Sequence, residues 1–137
     1  MKPVLLDAGV VVTLLHRKAT RHAECVRVVS DLDRPLVTCE AVISESCHLL
    51  RGVPDAPEAV LANIEQGLFQ IPFQLGGAAA RIREIMHKYR NLPASFADAC
   101  LISLADDLNT GDILTLDSDF IAYRWRKTRP FELLIPL

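Results

Sequence analysis

The stretch from Pro93 to Phe120, PASFADACLISLADDLNTGDILTLDSDF, constrains the fold more than any other part of the chain. It reads as a helix from Phe96, a stop at Asn109-Thr-Gly111 and a short apolar strand from Asp112 to Leu116. On a helical wheel Ala97, Leu101, Leu104, Ala105 and Leu108 share one side, while Asp106 and Asp107 project to the far side with Ser103. Asp98 falls at the border of the apolar face, where a carboxylate costs several kcal/mol unless it is paired or bound to a metal. Asp117 follows the strand, with Asp119 two residues on. Ligands in open α/β sheets bind beyond the carboxyl ends of the strands, so an acid on the helix and an acid off the strand tip can meet in one pocket.

The remaining chain alternates in the same way. Val4–Leu6 reads as a buried strand, Asp7-Ala-Gly9 as the turn out of it, and Val10 to Leu15 as a buried helix start. An amphipathic helix from Thr20 to about Leu32 carries Ala23, Val26 and Val29 inward, and Pro35 to Thr38 forms the second strand. A helix from about Glu40 to Leu50 follows. Asp55 caps another that runs to Gly67, with Glu58 three residues after the cap. Leu68 to Phe73 is a third strand, placed at an edge by Pro72. Gly76 to Asn91 is a helix with Ile82, Ile85, Met86 and Tyr89 inward; Asp119 to Tyr123 makes one helical turn, and Phe131 to Ile135 is the last strand. Strands alternating with helices predict a three-layer α/β/α sandwich with a mostly parallel central sheet. At 137 residues the expectation is one domain spanning residues 1–137.

Half the residues are hydrophobic and 23% are charged, the balance of an ordinary globular protein. No apolar run approaches a membrane span, and Asp7 interrupts the first apolar run where a secretory leader needs continuity, so a cytoplasmic location is expected. The net charge of −2 is neutral on a nucleic-acid partner. Two local clusters are more telling: Arg81, Arg83, Lys88 and Arg90, then Arg124, Arg126, Lys127 and Arg129. The four cysteines form no CxxC pair, and Cys39, Cys47 and His48 lack finger-like spacing; free thiols in a reducing compartment are expected.

Four acids stand apart. Asp7 ends a strand, where it also suits an N-cap. Glu45 lies one turn from both Ala41 and Leu49, on the margin of an apolar arc, as a snorkelling surface Glu also would. Asp98 and Asp117 complete the set. Four carboxylates in one pocket raise each other's pKa unless a countercharge is present, and all-oxygen ligands select a hard ion, Mg²⁺ or Mn²⁺. Such a site suits phosphodiester hydrolysis.

LLDAGVVVTLL, the Glu of VISESCHLL, the Asp of FADACLISLAD and ILTLDSDF, in this order, resemble the four motifs of the PIN domain family, and within it the VapC-type toxins of bacterial toxin–antitoxin pairs. The resemblance extends to the closing YRWRKTRPFELLIP. It implies a metal-dependent endoribonuclease, often a homodimer, neutralised by a small antitoxin protein. Carried onto this chain, the metal-binding and catalytic acids are Asp7, Glu45, Asp98 and Asp117, with Thr115 as a neighbouring hydroxyl and Asp119 as a supporting acid or cap. Ala8 and Gly9 stand where many relatives carry Thr and Ser, and Ser95 where an additional Asp is frequent. Arg81, Arg83, Lys88, Arg124, Arg126 and Lys127 are the candidates for drawing an RNA backbone towards the acids. Trp125 and Tyr123 are candidates for base stacking, with buried packing the favoured role for Trp125. A phosphoacceptor receiver domain is the alternative from a different class, but it needs an acidic neighbour for Asp7 and a Lys beyond the last functional strand, and neither is present, LLIPL having no Lys. A PIN-like module that only binds a partner is the other alternative. Neither GxxxxGK[ST] nor GxGxxG occurs.

Overall fold

The computed structural model describes residues 1–92 and 94–137; Pro93, where the stretch discussed first begins, lies outside the described residues. In chain order the elements are β1 (Val4–Leu6), α1 (Ala8–Leu15), α2 (His22–Asp31), β2 (Leu36–Val37), α3 (Glu40–Leu49), α4 (Ala56–Glu65), β3 (Phe69–Gln70), α5 (Leu75–Lys88) and α6 (Phe96–Leu108). There follow β4 (Asp112–Leu114), a 3-10 helical turn (Ser118–Ile121), β5 (Arg124–Trp125), β6 (Arg129–Pro130) and β7 (Glu132–Leu133).

Five strands form one sheet in the order β3-β2-β1-β4-β7, and every pairing in it is parallel. Helices cover the sheet, giving the three-layer α/β arrangement expected from the alternation. β3 sits at an edge, as Pro72 predicts. The chain steps outward from β1 to β3, then returns to lay β4 on the other side of β1. The strand order therefore reverses between β1 and β4, and a crevice opens beyond their carboxyl ends.

β1 is buried throughout because both of its neighbours and both helical layers enclose it. α6 is more deeply enclosed than its wheel suggests: residues 97 to 105 are all buried, Ser103 included at 2% exposure. α5 and the hairpin β5–β6 cover the side that the periodicity assigns to solvent, so Ser103 does not face out with Asp107. At its end Asn109 takes the left-handed conformation (φ 54°) and stops the helix. Gly111 is required: a Cβ there would lie 2.0 Å from Trp125 Nε1, because the indole packs directly on this backbone. Trp125 is buried and donates to the Pro130 carbonyl, which settles it as a packing residue.

Several local expectations are corrected. α2 begins at His22, not Thr20, and its inward residues are Cys25, Val28, Val29 and Leu32, while Ala23 and Val26 are exposed. The stripe of α5 is Ala78, Ile82, Ile85 and Tyr89, and Met86 is exposed. Asp55 adopts φ 63° and its carboxylate caps nothing; Pro57 in the first turn of α4 already removes one N–H donor that a cap would satisfy. The strands are two or three residues long, shorter than their apolar runs. No helix among the described residues is long and apolar enough to cross a membrane.

A candidate metal centre at the carboxyl edge of the sheet

Asp7 leaves the end of β1 and caps α1, its Oδ1 accepting from the Ala8 amide at 2.8 Å. The cap role expected of Asp7 is thus observed, and it leaves the second carboxylate oxygen free for other contacts. Its Oδ2 accepts from Thr115 Oγ1 at 2.7 Å, just past the end of β4. The same hydroxyl accepts from the Asp117 amide at 3.0 Å, so Thr115 ties the two strand-end acids into one frame. Asp117 in turn caps the 3-10 turn, its Oδ1 accepting from the Asp119 amide at 2.9 Å.

Asp98 arrives from a third direction, in the first turn of α6. Ser95 caps that helix, accepting from the Asp98 amide at 3.0 Å, and Tyr123 donates its phenolic hydrogen to Asp98 Oδ2 at 3.0 Å. Asp7, Asp98 and Asp117 each offer a carboxylate oxygen to a common point, and those three atoms lie within 4.8 Å of one another. Asp7 and Asp98 are buried, at 7% and 8% exposure, and Asp117 is half-buried.

The cluster opens into a cavity of about 610 Å³ whose lining, among the described residues, includes five acids, Asp7, Glu45, Asp98, Asp117 and Asp119, and no Lys, Arg or His. Among the described residues none of the three clustered acids has an ion-pair partner. Burial pushes the Asp7 carboxyl up to about 6; its bonds from Thr115 and Ala8 pull the other way, and the charges of Asp98 and Asp117 push further up. Burial also raises the Asp98 carboxyl, with Asp117 adding to the effect against the bonds from Tyr123 and Ser95. The phenol of Tyr123, buried beside Asp98, titrates far above its ordinary range and stays a donor. The donor set is all oxygen, carries excess negative charge and converges on a point: it fits a hard divalent cation and nothing softer.

Glu45 lies on the rim. It lines the cavity from α3, is exposed, and its carboxylate is not part of the 4.8 Å cluster. Asp119 lines the cavity too and supports Asp117 through its amide. None of the six basic candidates lines it. Arg81 donates through Nε to Asp106 Oδ2 at 2.7 Å, and Arg126 donates through its amide to Asp106 Oδ1 and through its guanidinium to the Asp106 carbonyl. Lys88 reaches the Lys127 carbonyl at 2.9 Å, and Arg124 folds back on the carbonyls of Ile121 and Tyr123. Arg83 is exposed on α5. Asp106 is eight residues along α6 from Asp98, a rise of roughly 12 Å.

Tyr123 is the functional residue that pattern reading misplaces. It is fully buried against Phe120 and Tyr89, so it stacks no base and instead serves Asp98. A weak signal is the pair of aromatics three residues apart, Phe120 and Tyr123, whose rings pack edge to face with centroids 5.0 Å apart.

No curated protein matches the chain by sequence. Among solved structures, Mycobacterium tuberculosis VapC20, described as a sarcin-ricin loop cleaving toxin, superposes with a TM-score of 0.81 at 19% identity, over 93% of this chain and 99% of that one. The likeness establishes a common fold over that span. A family model, that of the PIN domain, matches residues 4–126, which takes in β1, the acid cluster and the first strand of the closing hairpin. The chain belongs to the PIN domain family.

Proposed function

We propose that this chain is a metal-dependent endoribonuclease of the VapC toxin type, a single PIN-like domain over residues 1–137 that hydrolyses RNA phosphodiester bonds in the cytoplasm. One observation carries the reading. Three carboxylates delivered by β1, α6 and the segment after β4 each place an oxygen within 4.8 Å of the others, with no cation among the described residues to balance them. Maintaining that arrangement costs stability unless a ligand supplies the missing charge. Family membership and the likeness to a ribonuclease toxin point the same way.

Asp7, Asp98 and Asp117 would hold the ion, Mg²⁺ or Mn²⁺. Glu45, exposed on α3 and longer by one methylene, would turn in from the rim as the fourth acid. When bound, such a cation lowers the pKa of a water and neutralises charge on the scissile phosphate. The chain's own contribution is geometric and electrostatic. Thr115 keeps Asp7 and Asp117 in register, Ser95 starts α6 so that Asp98 points into the crevice, and Ala8 and Gly9 leave the floor open to a phosphate. Arg81, Arg83, Lys88, Arg124, Arg126 and Lys127, set off from the cavity, would serve the RNA backbone away from the cut. A small antitoxin and a second copy of the chain are the protein partners this reading calls for.

A receiver domain requires a basic residue facing the acids, and the cavity lining has none. Incubation of the purified protein with single-stranded RNA tests the proposal. Mg²⁺ or Mn²⁺ supports cleavage that leaves a 5′-phosphate and a 3′-hydroxyl, and EDTA abolishes it. Cleavage that persists in EDTA, or that leaves a 2′,3′-cyclic phosphate, contradicts hydrolysis at this site; no cleavage under any condition favours the binding-only alternative.

A further inference from the structure

Asp98 is the one clustered acid that reaches the site from a helix rather than from a strand end. Ser95, the cap of the same helix, hydrogen-bonds to its carboxylate through backbone and side chain. Among the described residues, the donor that reaches it from outside its own helix end is Tyr123, whose hydroxyl holds Oδ2 at 3.0 Å.

We propose that Tyr123 is a positioning residue of the acid cluster: its hydroxyl pins one oxygen of Asp98 and so sets which oxygen, and at what angle, Asp98 presents to a divalent cation. The inference rests on the reading of the cluster as a cation site and deepens it. Tyr123 is fully buried and its ring has no freedom to leave. Phe120 packs edge-on to it with ring centroids 5.0 Å apart, and Tyr89 packs against another side, also at 5.0 Å with planes inclined by 62°. Tyr89 uses its own hydroxyl elsewhere, accepting from the Arg124 amide at 2.8 Å.

A second hydroxyl in the site stands in the same relation to another acid. Thr115 donates to Asp7 Oδ2 at 2.7 Å, and both hydroxyls belong to the short segment that follows β4 and carries Asp117. One segment of the chain thus contributes an acid and orients the other two. A ligand's orienting partner is commonly worth 10- to 100-fold in metal affinity, without touching the metal.

Tyr123→Phe removes the hydroxyl and keeps the ring. Calorimetric titration with Mn²⁺ is expected to show binding weakened about 10- to 100-fold, with the far-ultraviolet circular dichroism unchanged. Tyr89→Phe perturbs the same aromatic cluster without touching Asp98, and its Mn²⁺ affinity is expected to match wild type. Unaltered affinity in Tyr123→Phe overturns the proposal, as does an equal loss in both variants, which would assign the effect to packing. Should Tyr123→Phe fail to fold, the ring resonances of Tyr123 in wild-type protein decide: with Mg²⁺ they shift along the binding curve if the hydroxyl is coupled to the site, and stay put if it is not. Wild-type protein that takes up neither ion defeats the cation-site reading itself, a result distinct from any of these.

Discussion

α6 carries two partly or fully buried aspartates, one near each end, and they live in opposite electrostatic worlds. Asp106 accepts from Arg81 and from the Arg126 amide, so both of its oxygens are matched by donors and its charge by a guanidinium. Asp98 has the Tyr123 phenol and the Ser95 cap as donors, two acids for neighbours and, among the described residues, no cation. The same residue type on the same helix is a structural pin at one end and an unbalanced charge at the other. Asp106 anchors a costly feature: Arg126 and Lys127 both hold positive φ, 45° and 69°, at the tip of the β5–β6 hairpin, and bonds to Asp106 and from Lys88 to the Lys127 carbonyl keep them there. The pairing at one end completes the fold; the lack of pairing at the other leaves room for a ligand.

Replacing each aspartate by alanine separates the two roles most sharply. Asp98→Ala is expected to lower RNA cleavage by at least about 100-fold, since a Lewis acid contributes several kcal/mol to the transition state. It should also leave the metal-free fold at least as stable as wild type. Asp106→Ala is expected to do the reverse: cleavage within a few-fold of wild type, but unfolding free energy lower by about 1–3 kcal/mol because Arg81 and the Arg126 amide lose their acceptor. Matched losses of activity in the two variants would erase the contrast.

Acidity sharpens it further. The carboxyl of Asp7 titrates at about 6 in the fold against 3.8 for the ordinary group. A raised folded pKa means stability that is fully present below about pH 4 and lost as the pH climbs through 6, worth about 3 kcal/mol across that window. Asp98 shifts in the same direction. Urea unfolding in EDTA at pH 4.5 and 7.5 should show the loss in wild type and a much smaller one in Asp7→Asn. A stability that rises over this interval in both proteins would mean that the acids are not strained.

The acid end of α6 was the more legible in sequence, for a physical reason. Asp98 conflicts with its own helix's periodicity, and Asp7 and Asp117 stand directly after apolar strands, so each announces itself within a few residues. Asp106 obeys the periodicity and looks solvated; its partner Arg81 lies 25 residues upstream, a contact no local pattern reveals. The hairpin was equally hidden, because its turn uses Arg126 and Lys127 at positive φ where Gly or Asn is the usual signal. Ser103 and the inner face of α2 were misassigned for a related cause: burial on a helix depends on what covers it, and the hairpin covering α6 was not foreseen. The alternation of strands and helices needed no such distant information, and the three-layer parallel architecture followed from it.

On the proposed reading, Asp98 at the amino end of α6 and its neighbours Asp7 and Asp117 are held without a cationic partner to receive a divalent cation. Isothermal titration of the metal-free protein with Mn²⁺, and then Mg²⁺, tests it most directly, with Asp98→Asn and Asp106→Asn alongside. The expected result is saturable heat in wild type and Asp106→Asn, and its loss or marked weakening in Asp98→Asn. Absence of heat for both ions in wild type, or an Asp98→Asn curve that overlays wild type, would contradict the claim.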